Sequence, residues 1–184
     1  MNYENFINAI YPLPEAALGR LEGKCKPVEF EKGQPIFISG TTVSYIYLIA
    51  KGMVRAYDEN DVTFWIGGEK SVVFCLNSYT QDLPGYETIE TLEPTLAYRI
   101  SLLDLRKFYA SDLDWANWGR TLAEKEFLKS EKRFISRQWK AAKERYEELL
   151  LEQPELLRRV PLGIIASYLG ITQVSLSRIR AEIR

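Results

Sequence analysis

The residues best suited to chemistry are gathered in one short stretch near the C-terminus: Thr172, Gln173, Val174, Ser175, Ser177, Arg178 and Arg180. Together they offer two guanidinium forks, an amide, three hydroxyls and the methyl-bearing side chain of Val174, which is equipment for contacting base edges and phosphates. Arg178 can donate two parallel bonds to guanine O6 and N7, Gln173 can pair with adenine or reach a phosphate, and Val174 can only touch a thymine methyl. Thr172, Ser175 and Arg180 suit phosphate contacts, which position an element without reading sequence. Catalytic equipment is scarce by comparison. The chain has no histidine, which removes the commonest general base, the usual haem ligand and most zinc sites. Cys25 and Cys75 have no ligand spacing and read as reduced, half-buried thiols. No catalytic residue, metal site or cofactor is assigned, and the chain is not read as an enzyme.

Those residues need a scaffold, and the local sequence supplies one. Pro161 suits the start of a short helix in which Ile165 and Leu169, four apart, face inward while Ala166 lets a second helix cross close by. Gly170 can take the left-handed conformation that ends a helix. Ile171 then plugs the corner, Thr172 caps the next helix, and Leu176 and Ile179 seal it against the first. This is the pattern of a helix-turn-helix, with Gln173, Val174, Ser177 and Arg178 projecting where such a unit enters the major groove. An αα-hairpin with a glycine turn is the plainer alternative; the features favour DNA binding by their combination, not singly.

Charge agrees with this placement. The formal net charge is −1, yet from Leu157 onward five arginines stand against the single acid Glu182. A basic end on an acidic body suits a chain that meets a polyanion at one end. Ahead of it the pattern changes twice. The opening segment, Asn5 to Cys25, reads as two short helices broken at Pro12 and Pro14. From Lys26 to Ser101 short strands alternate with turns: Val28–Phe30, Ile36–Ile38, Ser44–Ala50, Met53–Tyr57, Val62–Ile66, Thr88–Leu92 and Thr95–Ile100. That spacing predicts an antiparallel roll or barrel. Leu102 to Ala110 then reads as a short helix, and Ser111 or Asp112 can cap a much longer one. Ile135, Trp139, Ala142, Tyr146 and Leu149 step by three and four, which places them on one helix face up to Pro154. No apolar run approaches the ~20 residues of a membrane span, and no secretory signal opens the chain; a cytoplasmic protein without a membrane partner is expected.

Several motifs carry a resemblance. Ala142-Lys-Glu-Arg-Tyr146, Pro154-Glu-Leu-Leu, Val160-Pro161, Ile165-Ala-Ser-Tyr-Leu-Gly-Ile171 and Leu176-Ser-Arg-Ile-Arg180 resemble the C-terminal half of the Crp/Fnr family of transcription regulators. Gly33, Gly40 and Gly52 fall at turns that family uses in its roll. The resemblance implies an α+β chain: residues 1–111 a cyclic-nucleotide-binding-like antiparallel β-roll, a double-stranded β-helix; 112–137 a dimerisation helix; 138–184 a helix-turn-helix domain. Expected partners are a roughly palindromic double-stranded DNA site, a second copy of the chain, RNA polymerase and an unidentified small-molecule effector. Trp115, Trp118 and Leu122 are expected at the dimer seam; that the tryptophans merely cover the roll is the plainer alternative. A signal in the roll would shift the pair between two geometries and so respace the reading heads. A sensor or scaffold that keeps the fold without binding DNA is the alternative.

The departures from that pattern narrow what is sensed without assigning it. Family members that bind cyclic AMP hold its phosphate with an arginine and its ribose with a glutamate about ten residues earlier. Counting back without gaps from Thr95-Leu96-Ala97-Tyr98 puts the arginine position at Gly85 and the glutamate position at Cys75. Gly68-Glu69 resembles the start of the phosphate cassette but lies too far away, and no arginine occurs between Arg55 and Arg99. Glu69, Cys75, Gly85 and Tyr86 are therefore candidate lining of a ligand pocket for something other than cyclic AMP. Iron–sulfur and haem sensing lack their cysteines and histidines. The sequence stops at Arg184 without the β-wing usual in the family, so fewer phosphate contacts are expected.

Overall fold

A computed structural model describes residues 2–183. Two short helices, α1 (Tyr3–Ile10) and α2 (Glu15–Gly19), open the chain and flank the Pro12–Pro14 break. Eight strands follow: β1 (Lys26–Phe30), β2 (Pro35–Phe37), β3 (Tyr45–Lys51), β4 (Val54–Tyr57), β5 (Thr63–Gly67), β6 (Val72–Val73), then α3 (Leu76–Gln81), β7 (Thr88–Thr91) and β8 (Thr95–Ser101). They form two four-stranded sheets, ordered β1-β8-β3-β6 and β2-β7-β4-β5, with every ladder antiparallel. The expected roll is present. β6 and α3 are additions, because residues 68–87 carry little periodicity.

Strand β3 shows why the roll needs two covers. Its alternate side chains point to opposite faces, so Ile46 and Leu48 enter a core shared with the helices, while Tyr47 and Ile49 enter the space between the sheets. At the β3–β4 turn Gly52 has φ +116°, and a Cβ there would lie 2.3 Å from Thr95 Oγ1. No side chain fits that corner.

Beyond the roll lie α4 (Leu102–Ser111), α5 (Leu113–Trp139), α6 (Ala142–Glu152), α7 (Leu156–Arg159), α8 (Leu162–Leu169) and α9 (Gln173–Ile183). Asp112 caps α5 by accepting from the Asp114 and Trp115 amides and pairs with Arg20 of the α2 end at 3.0 Å.

The first half of α5 corrects an expectation. Trp115 and Trp118 are fully buried and Leu122 is 5% exposed, all inside the protomer's own core with Phe6, Ile7, Leu21 and Phe108. Each indole N–H donates to a backbone carbonyl of the opening helices, Trp115 to Ala17 at 2.9 Å and Trp118 to Ile7 at 3.0 Å. These three residues fasten α5 to α1 and α2, so they cannot also form a dimer seam. Beyond Leu122, the apolar side chains that α5 leaves in solvent are Phe127 (70% exposed), Leu128, Phe134 (65%) and Trp139; Leu113, at its start, is exposed too.

A second correction concerns the end of that helix. The series Ile135, Trp139, Ala142, Tyr146, Leu149 does not lie on one continuous face, because the helix breaks after Trp139, where Lys140 is extended (φ −97°, ψ 141°). Ala141 opens α6, its amide donating to the Glu144 carboxylate at 2.6 Å. Trp139 is left exposed while Tyr146 and Leu149 are buried in the next unit.

Candidate nucleic-acid interface

Helices α8 and α9 form the unit anticipated from the residues. Pro161 precedes α8, whose Ile165, Ala166 and Leu169 are buried. Gly170 adopts φ +69°, ψ 36° and its N–H donates to the Ser167 carbonyl at 2.9 Å, while Ile171 N–H reaches back to Ala166 O at 3.0 Å. These bonds satisfy the last carbonyls of α8 and turn the chain. Thr172 Oγ1 then accepts from the Ser175 amide at 3.1 Å and lies 2.9 Å from the Ser175 hydroxyl, capping α9. The two helices are bent by 96° across a three-residue turn, within the range of a helix-turn-helix. Leu176, fully buried, and the partly buried Ile179 close α9 onto Ile165, Ala166 and Leu169. Full burial of such side chains contributes roughly 1.5–3 kcal/mol each, enough to hold α9 at one angle.

With Leu176 committed inward, Val174 (62% exposed), Ser177 and Arg178 stand in solvent. Arg178 has no carboxylate partner among the described residues. Gln173 is exposed, and its amide oxygen leans towards Gly163 of α8. Thr172 lies at the entry to α9, whereas Ser175 and Arg180 are half-buried on its flanks. Six of the seven therefore belong to the first half of α9 and its approach, while Arg180 lies in its last turn.

This unit is docked on the roll. Met53, Ile66 and Leu92 share one apolar cluster with Tyr146, Leu149, Leu156, Ile165, Leu169 and Leu176. The Thr63 amide donates to the Ser167 hydroxyl at 2.9 Å. Arg159 completes the joint: its two terminal nitrogens each meet a Glu69 carboxylate oxygen at 2.8 Å, and Glu93 takes a further bond. Glu69 also accepts from the Gly52 amide at 3.0 Å. The Arg159 guanidinium holds the Glu69 carboxyl down at about 2, against a smaller opposing effect of burial.

The four residues grouped as pocket lining are thereby separated. Glu69 is committed to the interdomain joint and does not face the others. Cys75 and Gly85 are adjacent: a Cβ on Gly85 would lie 2.7 Å from Cys75 Sγ and 3.4 Å from Glu87 Oε2. Tyr86 is 61% exposed and tilts against Phe64 at 6.2 Å between ring centroids. Glu87, passed over in the sequence, is the charged group at this position. It is buried, and its carboxylate accepts from the Tyr86 amide at 3.1 Å. Neighbouring glycine and proline signalled a loop there; nothing local signalled that the glutamate turns inward.

Cys25 and Cys75 are both free and buried, and burial pushes the Cys25 thiol up to about 12. No cluster of three metal-ligating side chains occurs among the described residues, and no single described helix is long and apolar enough to cross a membrane.

The geometry defines a class: an antiparallel β-roll carrying a docked helix-turn-helix. Residues 27–112 match the family model of the cyclic nucleotide-binding domain. The whole chain has the fold of Crp/Fnr regulators. It superposes on FixK2 of Bradyrhizobium japonicum with a TM-score of 0.73 at 19% identity, over 86% of this chain and 84% of that one. A structure described as a Crp/Fnr-family transcriptional regulator from Eubacterium rectale gives 0.75 at 17% identity, over 96% and 86%. The c-di-GMP responsive global regulator CLP of Xanthomonas campestris gives 0.71 at 14% identity, over 92% and 91%. Among curated proteins no sequence matches the chain.

Proposed function

We propose that this chain is a Crp/Fnr-type transcription regulator that binds DNA as a homodimer and answers to an effector other than cyclic AMP. The observation that carries the reading is the α9 surface. Its apolar side is locked into the protein, and Val174, Ser177 and Arg178 project into solvent beside a capped N-terminus. Arg178 reads a base, Gln173 and Val174 refine the choice, and Thr172, Ser175 and Arg180 place the helix on the backbone. The partner copy packs along the exposed Phe127–Phe134 side of α5, which puts two α9 helices about 34 Å apart on a palindromic site. The domain limits proposed are 1–111, 112–137 and 138–184, with α5 itself running on to Trp139 before the break at Lys140.

Salt-titrated DNA binding tests this. The full chain should bind a site selected from random duplex DNA, with affinity falling steeply as salt rises because phosphates are engaged. A chain that binds no duplex at low salt, while folded and dimeric, is a sensor or scaffold and not a DNA-binding regulator.

A further inference from the structure

One face of α5 changes character along its length. Trp115, Trp118 and Leu122 point into the core; seven, eleven and fifteen residues beyond Leu122, the same face carries Lys129, Arg133 and Arg137. These look into a cleft of about 800 Å³ between the helix, strand β5 and helices α6 and α8. Like charges at i, i+4 oppose a helix, so this repeat needs a counter-charge. Lys129 has one in Glu126. Arg133 meets only the Ser130 hydroxyl, at 3.1 Å, and Arg137 has no hydrogen-bonded side-chain partner among the described residues.

We infer that this cleft binds a small anion carrying a flat apolar portion, an aromatic phosphate monoester being the class it fits. Arg133 and Arg137 supply two guanidinium forks for the phosphate. Phe64 and Trp65 of β5 and Tyr168 of α8 supply the aromatic wall, and the volume is that of a small-molecule site. Burial raises the Tyr168 phenol most; Arg133 and Arg137 lower it and Glu152 and Glu148 raise it, so both arginines lie around one spot. Of the acids in the lining, Glu126, Glu148 and Glu69 are paired with Lys129, Lys140 and Arg159; Glu152 and Glu155 have no ion-pair partner among the described residues, and Lys132 and Arg145 stand with the two arginines on the cationic side. The position is also consequential. The Arg137 guanidinium packs against Gly170, its Nη2 3.1 Å from where a Cβ on that glycine would stand, so an anion held there touches the roll, the long helix and the helix-turn-helix corner at once. The site is distinct from the Cys75–Gly85 region.

The inference deepens the regulator reading by naming an effector class, and rests on it for the consequence but not for the binding. Calorimetry of the full-length protein with 5′-AMP, 5′-GMP and 1-naphthyl phosphate is the test, with adenosine and inorganic phosphate as partial ligands. At least one monoester should give a saturable isotherm at least about tenfold tighter than adenosine or phosphate. Arg133→Gln with Arg137→Gln should weaken it about tenfold or more, with the melting curve unchanged; Tyr168→Phe, which keeps the ring, should retain binding. No isotherm with any of the three monoesters, as when a partner's helix fills the cleft, overturns the site. So does binding that ignores both arginine substitutions. A protein that binds a monoester but no DNA sinks the regulator reading and leaves the site standing; the reverse result sinks only the site.

Discussion

The Thr63 amide and the Ser167 hydroxyl, 104 positions apart in the chain, meet at 2.9 Å. This bond joins the edge strand of the roll to the first helix of the reading unit. Any change in how β5 sits is therefore felt directly at α8, without passing through α5. Two routes connect the roll and the helix-turn-helix, a short one across this joint and a long one through α5.

The short route has a pH dependence. Arg159 depresses the Glu69 carboxyl to about 2, below its unfolded value of about 4.5. The ion pair therefore adds stability that is fully present above pH 4.5 and lost as pH falls through 4.5 towards 2. Arg159→Met should remove that acid-dependent part and loosen α7 and α8 from the roll, costing about 1 kcal/mol at neutral pH because the pair is partly solvated. Hydrogen exchange at pH 7 and pH 3 checks it. Equal acid sensitivity in variant and wild type would show that Glu69 is not the group responsible.

Assembly should follow the exposed side of α5, not its tryptophans. Phe127→Ser with Phe134→Ser should weaken dimerisation by about 2 kcal/mol or more, as loss of central aromatic anchors does. Trp118→Ala should instead cost about 3–5 kcal/mol of folding stability while leaving the folded fraction dimeric. Light scattering alongside denaturant melts separates the two effects, and a stable monomeric Trp118→Ala would return the seam to the tryptophans.

Cyclic AMP and cyclic GMP should show no micromolar binding in the roll. Where the phosphate would need a cation, the chain places Gly85 against Cys75 with the buried Glu87 carboxylate beside them. Gly85→Ala should cost about 1–3 kcal/mol by overpacking. Calorimetry with each nucleotide, on wild type and on Arg133→Gln/Arg137→Gln, distinguishes roll binding from binding in the cleft; a saturable isotherm that persists in the variant would contradict the expectation.

Base reading should rest on Arg178. Arg178→Ala should cost about 1–3 kcal/mol on the selected site and blur preference at one base pair per half-site. Thr172→Ala should weaken all sequences alike, and because its hydroxyl caps α9 it should also cost about 1 kcal/mol of stability. Binding to single-base variants of the site compares them. If Arg178→Ala weakens every sequence equally, Arg178 is a phosphate anchor.

The reading unit was legible because its determinants are local. Ile165, Ala166, Gly170, Thr172 and Leu176 fall within a dozen positions, and each has one physical reason to be there. The tryptophans were legible as a buried stripe but not as to what buries them, since Ile7 and Ala17 lie about 100 residues away. The break at Lys140–Ala141 has no proline or glycine to announce it; Glu144 and Glu148 set it by reaching back to Ala141 and Lys140. Glu87 was missed because a glutamate in a glycine-proline loop is ordinarily solvated.

The pairing of Trp118 with Ile7 across 111 positions has a consequence for synthesis. Helix α1 leaves the ribosome long before the indole that covers it. At about 5–20 residues per second the interval is roughly 5–20 s. Throughout it, Phe6 and Ile7 have no tryptophan to pack against, and the roll can close its two sheets but not its helical lid. Chains arrested before residue 115 should be cut by protease within α1, and chains arrested well after residue 122 should resist. Residues made early are thus protected late: α1 waits for α5 before its apolar side is covered.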